Sequence, residues 1–360
     1  MRKDPLEQLR KQLKKKDEEI LTLLNERANI AIEVGRLKRK HDLRIYDPTQ
    51  ESKIHHYLHT INTGPLTAGS LKTIFTEIIS ASRALQEPLR VAYLGPEASF
   101  THLAAESHFG KGTVFSPQLT ISDVFDQVEK GRVHCGVVPV ENSLEGAVTI
   151  TLDRLISTPV DILNEIYLPI SHVLLSTRNT HHGVKRVYSH PQALAQCKNW
   201  IRQNLPRSTC HDAESTAKAA AMVLEDADCA AIGSRRAASA YGLNIIAEGI
   251  EDHGSNTTRF VVIGEGENAP TGRDKTSIIF GVRHEPGALQ HSLSPFAEKE
   301  INLMKIVSHP IRERMWEYLF FVDFMGHLME DKTTQCLKAL KDECTFIKIL
   351  GSYPMGDAKL

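Results

Sequence analysis

The chain has 360 residues, enough for two or three separate cores, since a single core stops growing at roughly 250–300 residues. Its 43 Lys and Arg against 44 Asp and Glu leave a net charge of −1, which excludes the one-signed field that recruits nucleic acid or an anionic membrane surface. No apolar run reaches the ~20 residues of a membrane span, and Cys135, Cys197, Cys210, Cys229, Cys336 and Cys344 show no CxxC pairing. Zinc and disulfide frameworks are thereby excluded, and a soluble chain of the reducing cytoplasm is expected.

Leu6, Leu9, Leu13, Ile20, Leu23, Leu24, Ile30, Val34 and Leu37 recur every three to four residues. This spacing predicts one helix over residues 6 to about 40, ~50 Å long, with Gly35 the only break. Two more helices are predicted at 48–61 and 66–86, on either side of the "NTGP" breaker at 62–65. A long helix with two short companions cannot cover its own apolar stripe, so dimerisation through it is expected. Arg27 and Lys38, 11 residues apart, share a face; Arg10 lies 28 residues before Lys38, some 40 Å away along a straight helix. Only an antiparallel partner helix could bring Arg10 to the same site. The second helix has Asp47, Gln50 and Glu51 on one face, and the third has Ser82 and Gln86 at i, i+4. On spacing alone a solvated helix face is the plainer reading of these groups.

From "RVAYLG" at 90–95 the pattern alternates short apolar strands with amphipathic helices. Strands are predicted at 135–140, 171–176, 186–190, 229–233 and 259–264, and an alanine-rich helix at 213–225. This predicts an α/β domain of two lobes with a cleft between them. A polar linker at 265–274 leads to strand 276–283, helix 287–299, strands 302–309 and 316–325, helix 332–342 and strand 346–353. That βαββαβ order is the α+β ferredoxin-like module. The expected architecture is therefore multidomain: all-α over 1–89, two-lobed α/β over 90–267, and ferredoxin-like over 276–355.

"LRKQL", "NERANIAIEVGRLK", "IYDPTQE" and "IISASRALQ", in order within residues 5–86, resemble the all-helical bacterial chorismate mutases. The resemblance implies that Arg27 and the partner's Arg10 hold the two carboxylates of chorismate, with Ser82 assisting. Lys38 and Gln86 would donate to the ether oxygen, and Asp47 and Glu51 would hold the hydroxyl and its neighbours. The chemistry is a unimolecular rearrangement to prephenate, helped by a compact conformer and by cations at an oxygen that gains charge. No cofactor or metal is implied. One departure stands out: Gln50 occupies a position where the family usually has arginine.

"VAYLGPEASFTH", "GVVPVENSLEGAV", "VYSHPQALAQC", "AAIGS" and "NTTRFVVIG", spread over 90–264, resemble prephenate dehydratase. The family's catalytic threonine falls on Thr258. Prephenate loses its ring hydroxyl and a carboxylate together, and hydroxide leaves only if a donor meets it. Asn142, Ser189 and Gln196 are implied as polar contacts in the cleft, the last two close to one end of a helix starting near Pro191. Arg259 either balances a substrate carboxylate or forms an ion pair, and Phe260 is expected in the core.

Residues 276–355 resemble the ACT regulatory domain, which binds phenylalanine between two chains. "EPGALQHSL" carries the helix start, with Gly287, Ala288 and Leu289 lining the implied site. Ser308 and His309 would face it from the Val307-Ser308-His309-Pro310 stretch, where the family has glutamate-serine-arginine-proline. The expected protein is a bifunctional, homo-oligomeric cytoplasmic enzyme of phenylalanine biosynthesis. Two alternatives remain: a monofunctional dehydratase whose helices serve only as a dimerisation arm, and a two-lobed ligand-binding sensor.

Overall fold

A computed structural model of the chain describes residues 5–310 and 318–356. It opens with three helices, α1 (Pro5–Lys40), α2 (Pro48–Ile61) and α3 (Ala68–Gln86). Asp47 and Thr67 cap α2 and α3, each accepting from a backbone N–H of the first turn. α1 continues unbroken through Gly35, which lies against Gln86: a Cβ there would stand 2.7 Å from the Gln86 Cβ. Residues 5–26 of α1 are exposed on every side, and contact with the rest of the chain begins at Arg27.

The first lobe contains β1 (Arg90–Leu94), α4 (Phe100–Phe109), β2 (Val114–Gln118), α5 (Ile121–Glu129), β3 (Cys135–Asn142), β4 (Gly146–Ala147), α6 (Thr149–Ser157) and β5 (Asp161–Pro169). The second contains β6 (Val173–Ser176), β7 (Arg186–Ser189), α7 (Pro191–Gln196), α8 (Lys198–Asn204), β8 (Thr209–Asp212), α9 (Thr216–Met222), β9 (Cys229–Gly233), α10 (Arg235–Tyr241) and β10 (Asn244–Glu248). The chain then returns to the first lobe as β11 (Thr257–Gly264). Two sheets result, ordered β2-β1-β3-β11-β5 and β10-β6-β9-β7-β8, joined by crossing segments at 170–172 and 249–256. The crossings are tied to each other: Ile170 N–H donates to Asn256 O at 2.8 Å, and His172 N–H to the Glu251 carboxylate at 2.8 Å.

The C-terminal unit is β12 (Asp274–Gly281), α11 (Ala288–Glu298), β13 (Leu303–Pro310), β14 (Tyr318–Met325), α12 (Asp331–Glu343) and β15 (Phe346–Pro354), an antiparallel sheet ordered β13-β14-β12-β15. One face packs on its own helices through Ile278, Phe296, Phe324 and Leu340. The other packs on the first lobe, where Ile279, Phe321, Leu350 and Tyr353 share a core with Val140, Leu152 and Val261. Each large apolar side chain buried this way contributes ~1.5–3 kcal/mol.

The expected fold class holds in all three parts, with local differences. The strand expected at 171–176 starts at Val173, because the residues before it form a crossing. The alanine-rich helix is shorter than expected: Ser215 caps it, and after Met222 it tightens into a 3-10 turn, Val223–Glu225. The strand expected at 316–325 is seen from Tyr318, residues 316–317 lying outside the described ones.

Candidate active sites

Antiparallel pairing sets Thr258 of β11 directly opposite Asn142 at the end of β3. The Asn142 Nδ2 donates to Thr258 Oγ1 at 2.9 Å and to Asn256 Oδ1 at 2.8 Å. Its Oδ1 accepts the backbone N–H groups of Leu144 and Glu145, at 3.0 and 3.3 Å. Asn256 Nδ2 donates in turn to Gln196 Oε1 at 2.9 Å, an oxygen that also stands 2.9 Å from His172 Nε2. A polar chain thus runs from Thr258 in one lobe to Gln196 in the other. Burial lowers the pKa of His172, against smaller upward pulls from Gln196 and Glu251, so its ring is held neutral.

Three expected residues are therefore brought together: Thr258, Asn142 and Gln196. Ser189 is not part of this chain. It is fully buried and its hydroxyl donates to Ile232 O at 2.7 Å, holding β7 to β9. Ser189 and Gln196 flank opposite ends of α7 rather than sharing one. Asn256 and His172 were not singled out from sequence. The available signal was that both are polar residues on the segments that join the lobes.

Arg259 faces the other way, as the residue after Thr258 on a strand must. Of its two open roles, the ion pair is the one present, and it is buried between domains. Its Nε stands 2.8 Å from Glu165, its Nη1 contacts Asp323, and its Nη2 donates to the Tyr353 hydroxyl at 2.9 Å. Lys275 Nζ closes the cluster at 2.7 Å from the same Glu165. Burial pulls the Arg259 pKa down, but Asp323, the Tyr353 phenol and Glu165 reverse this and keep it charged. Phe260, as expected, is core.

The helical residues gather around the Gly35–Gln86 contact. Arg27 Nη1 donates to Ser82 Oγ at 2.6 Å, and Lys38 Nζ to Ile45 O at 3.1 Å. Asp47 accepts from Gln50 N–H at 3.0 Å while the Gln50 side chain is exposed. Burial lowers the pKa of Lys38; Asp47 and Glu51 pull it back up without cancelling the effect. Burial likewise raises Glu51, opposed by Arg83, whose guanidinium pairs with it. Arg83 in turn donates to Phe109 O at 2.7 Å, so Glu51 is anchored through it to the first lobe. Sequence reading passed over Arg83, although a cation on the stripe of Thr76, Ile79 and Ser80 demands a partner. Arg10 lies on the bare half of α1 and joins none of these groups within one chain.

In the C-terminal unit Gly287 caps α11 at φ 85°, a left-handed conformation that suits glycine. Ala288 is buried beside it, and Leu289 packs into the local core. Ser308 is exposed on the edge strand β13. His309 corrects the expectation: strand alternation turns its ring toward the first lobe, 2.7 Å from the Asp153 carboxylate and edge-on to Phe321.

Comparison with known proteins follows the same three divisions. Family models for chorismate mutase type II, prephenate dehydratase and the ACT domain match residues 9–87, 91–268 and 276–342. The bifunctional chorismate mutase/prephenate dehydratase of Aquifex aeolicus is 46% identical over 355 residues, 98% of each chain. That of Stutzerimonas stutzeri is 42% identical over 357 residues, again 98% of each. The crystal structure of prephenate dehydratase from Arthrobacter aurescens in complex with L-Phe superposes with a TM-score of 0.69 at 31% identity, covering 74% of this chain and 90% of that one. With both catalytic segments and the regulatory one matched along nearly its whole length, the chain belongs to the family of bifunctional chorismate mutase/prephenate dehydratases.

Proposed function

We propose that the chain performs two consecutive steps toward phenylalanine, rearranging chorismate to prephenate and then converting prephenate to phenylpyruvate. In the first step Arg27, steadied by Ser82, and the partner's Arg10 hold the two carboxylates in a compact conformer. Lys38 and Gln86 donate to the ether oxygen as its bond to carbon breaks, and Asp47 and Glu51 take the hydroxyl side. The bare first half of α1, with Leu6, Leu9, Leu13, Ile20 and Leu23 exposed, supports a homodimer in which each Arg10 serves the other chain.

In the second step the electron pair of the carbon–carboxylate bond moves into the ring and expels the hydroxyl at its far side. Carbon dioxide leaves, and the hydroxide takes up one proton to leave as water. One observation carries the assignment: Thr258 Oγ1 accepts from Asn142, so its own proton is free to meet the departing oxygen. The orientation of Arg259 away from Thr258 suits this chemistry. A cation on the carboxylate would favour the ground state and lose that attraction as carbon dioxide forms.

Phenylalanine would bind between two C-terminal units, its carboxylate at Gly287, Ala288 and Leu289 and its far side toward Ser308 of the neighbour, in a cytoplasmic oligomer. The Arthrobacter relative was crystallised with L-Phe, which supports this reading. Purified full-length chain given chorismate should release prephenate, then phenylpyruvate, with no added metal or cofactor. Prephenate accumulating without phenylpyruvate would reject the second activity, and unconsumed chorismate the first.

A further inference from the structure

A carboxamide presents a donor and an acceptor of nearly equal shape, and its orientation is settled only by a neighbour whose role cannot change. The backbone N–H groups of Leu144 and Glu145 are such neighbours, because they can only donate, and both point at Asn142 Oδ1. The Asn142 NH2 must therefore face Thr258 and Asn256. That fixes Asn256 with its oxygen toward Asn142 and its NH2 toward Gln196. Reversing any one amide would set donor against donor, or acceptor against acceptor, at its contact with the next.

At the far end Gln196 Oε1 receives Asn256, so its second neighbour at 2.9 Å, His172 Nε2, must also bring a proton. His172 is 2% exposed, and its Nδ1 has no partner among the described residues. A lone pair left there is tolerated better than a stranded N–H, which agrees with the proton sitting on Nε2. Burial keeps the ring neutral, in keeping with a single ring proton. With its oxygen doubly engaged, the half-buried Gln196 has its NH2 left as a donor with no partner among the described residues.

We infer that His172 and Asn256 are positioning residues of the dehydratase, which lock the Gln196 carboxamide with its NH2 aimed into the cleft as a donor to a substrate oxygen. This inference rests on the dehydratase reading above. Thr258 and Gln196 then form a pair of outward donors, one from each lobe, whose polarity is dictated by two backbone amides. Because His172 and Asn256 lie one on each crossing segment, the same contacts also tie the two lobes together.

The test uses the intact chain, with its mutase activity as an internal control of folding. His172→Leu keeps bulk but removes the Nε2 proton, and should lower dehydratase kcat/KM roughly tenfold or more while chorismate consumption is unchanged. His172→Gln, whose amide nitrogen falls near the lost Nε2, should recover most of the loss. Adding Gln196→Ala to His172→Leu should cost little more than Gln196→Ala alone, because both act through one group. Wild-type dehydratase kinetics in His172→Leu, no recovery with glutamine, or additive losses in the double variant would each overturn the inference. Two parallel runs separate the readings: no phenylpyruvate from the wild-type chain would remove the dehydratase assignment itself, whereas full activity in Thr258→Val would remove the site placed around Thr258, and not merely the role of His172.

Discussion

Arg259, the residue next to Thr258, forms a buried ion pair with Asp323 of the C-terminal sheet. The side chains are 6% and 11% exposed, so neither charge can fall back on water. Asp323→Asn should therefore destabilise the chain by about 3–5 kcal/mol, because Arg259 and Lys275 are then left to share the single buried carboxylate of Glu165. Dehydratase turnover should fall with it, since β11 carries both Arg259 and Thr258, while the mutase is spared. Burial alone would raise the Asp323 pKa, but Arg259, Ser277 and Lys275 outweigh it and hold it below the usual value. A depressed carboxylate contributes its stability above its unfolded pKa of ~3.9 and loses it as pH falls through the folded value. Melting temperatures of wild type and Asp323→Asn should accordingly differ at neutral pH and converge in strong acid.

Thr258→Val keeps the shape of the side chain and deletes one hydroxyl. Phenylpyruvate formation should fall by at least ~100-fold with chorismate consumption near normal. Separate assays for the two products decide it, and retained dehydratase activity would remove Thr258 from the chemistry.

Arg10 and Lys38 lie far apart on one helix, so a site that needs both needs two chains. Arg10→Ala and Lys38→Ala should each be nearly inactive as mutases. Mixing them under conditions of subunit exchange should restore activity in a fraction of the sites, because some heterodimer sites carry neither substitution. Proven exchange without recovery would place Arg10 outside the site.

Lys38 acts as a cation, and its burial lowers its pKa from the model-peptide value of 10.5. The mutase kcat/KM should thus decline with rising pH at an apparent pKa below that of a free lysine, as the ammonium loses its proton. A pH profile measured to the alkaline limit of folding checks this. Restoring the family's cation with Gln50→Arg should raise turnover at every pH if the missing charge matters.

The two residues expected to face phenylalanine from β13 point in opposite directions. Gly287→Val, which forces a branched side chain into a left-handed conformation, should weaken phenylalanine binding about tenfold or more. His309→Ala should leave that affinity near wild type and lower stability instead, because its ring is paired with Asp153. Calorimetry on both variants distinguishes the roles.

The helices, the two-lobed region and the terminal module were legible because their apolar periodicity is strong and their motifs run in unbroken order. β5 was not, since a strand buried against β11 carries no alternation to detect. The direction of Arg259 could have been read: on any strand the residue after Thr258 faces the opposite side. What it meets there could not, because Asp323 and Tyr353 lie 64 and 94 residues away in sequence. Separation in sequence likewise hid the Arg83–Phe109 tie, across 26 residues, and the polar chain from Asn142 to His172. Such pairs are set by three-dimensional packing, which local pattern does not record.

Tyr46, between the first two helices, is 3% exposed and sits among Leu89, Val91, Phe109 and Phe260. Its hydroxyl lies 2.7 Å from His108 Nε2 and accepts from Asn164 at 3.3 Å. A reading frame cut after residue 89 would yield one product with a bare phenol and another with a ring-sized hole, a defect of about 3–5 kcal/mol by analogy with aromatic-to-alanine changes. A chain built this way can lose either activity by a point substitution. Simple truncation of the helices would leave that hole open, so packing as well as sequence joins the first domain to the second.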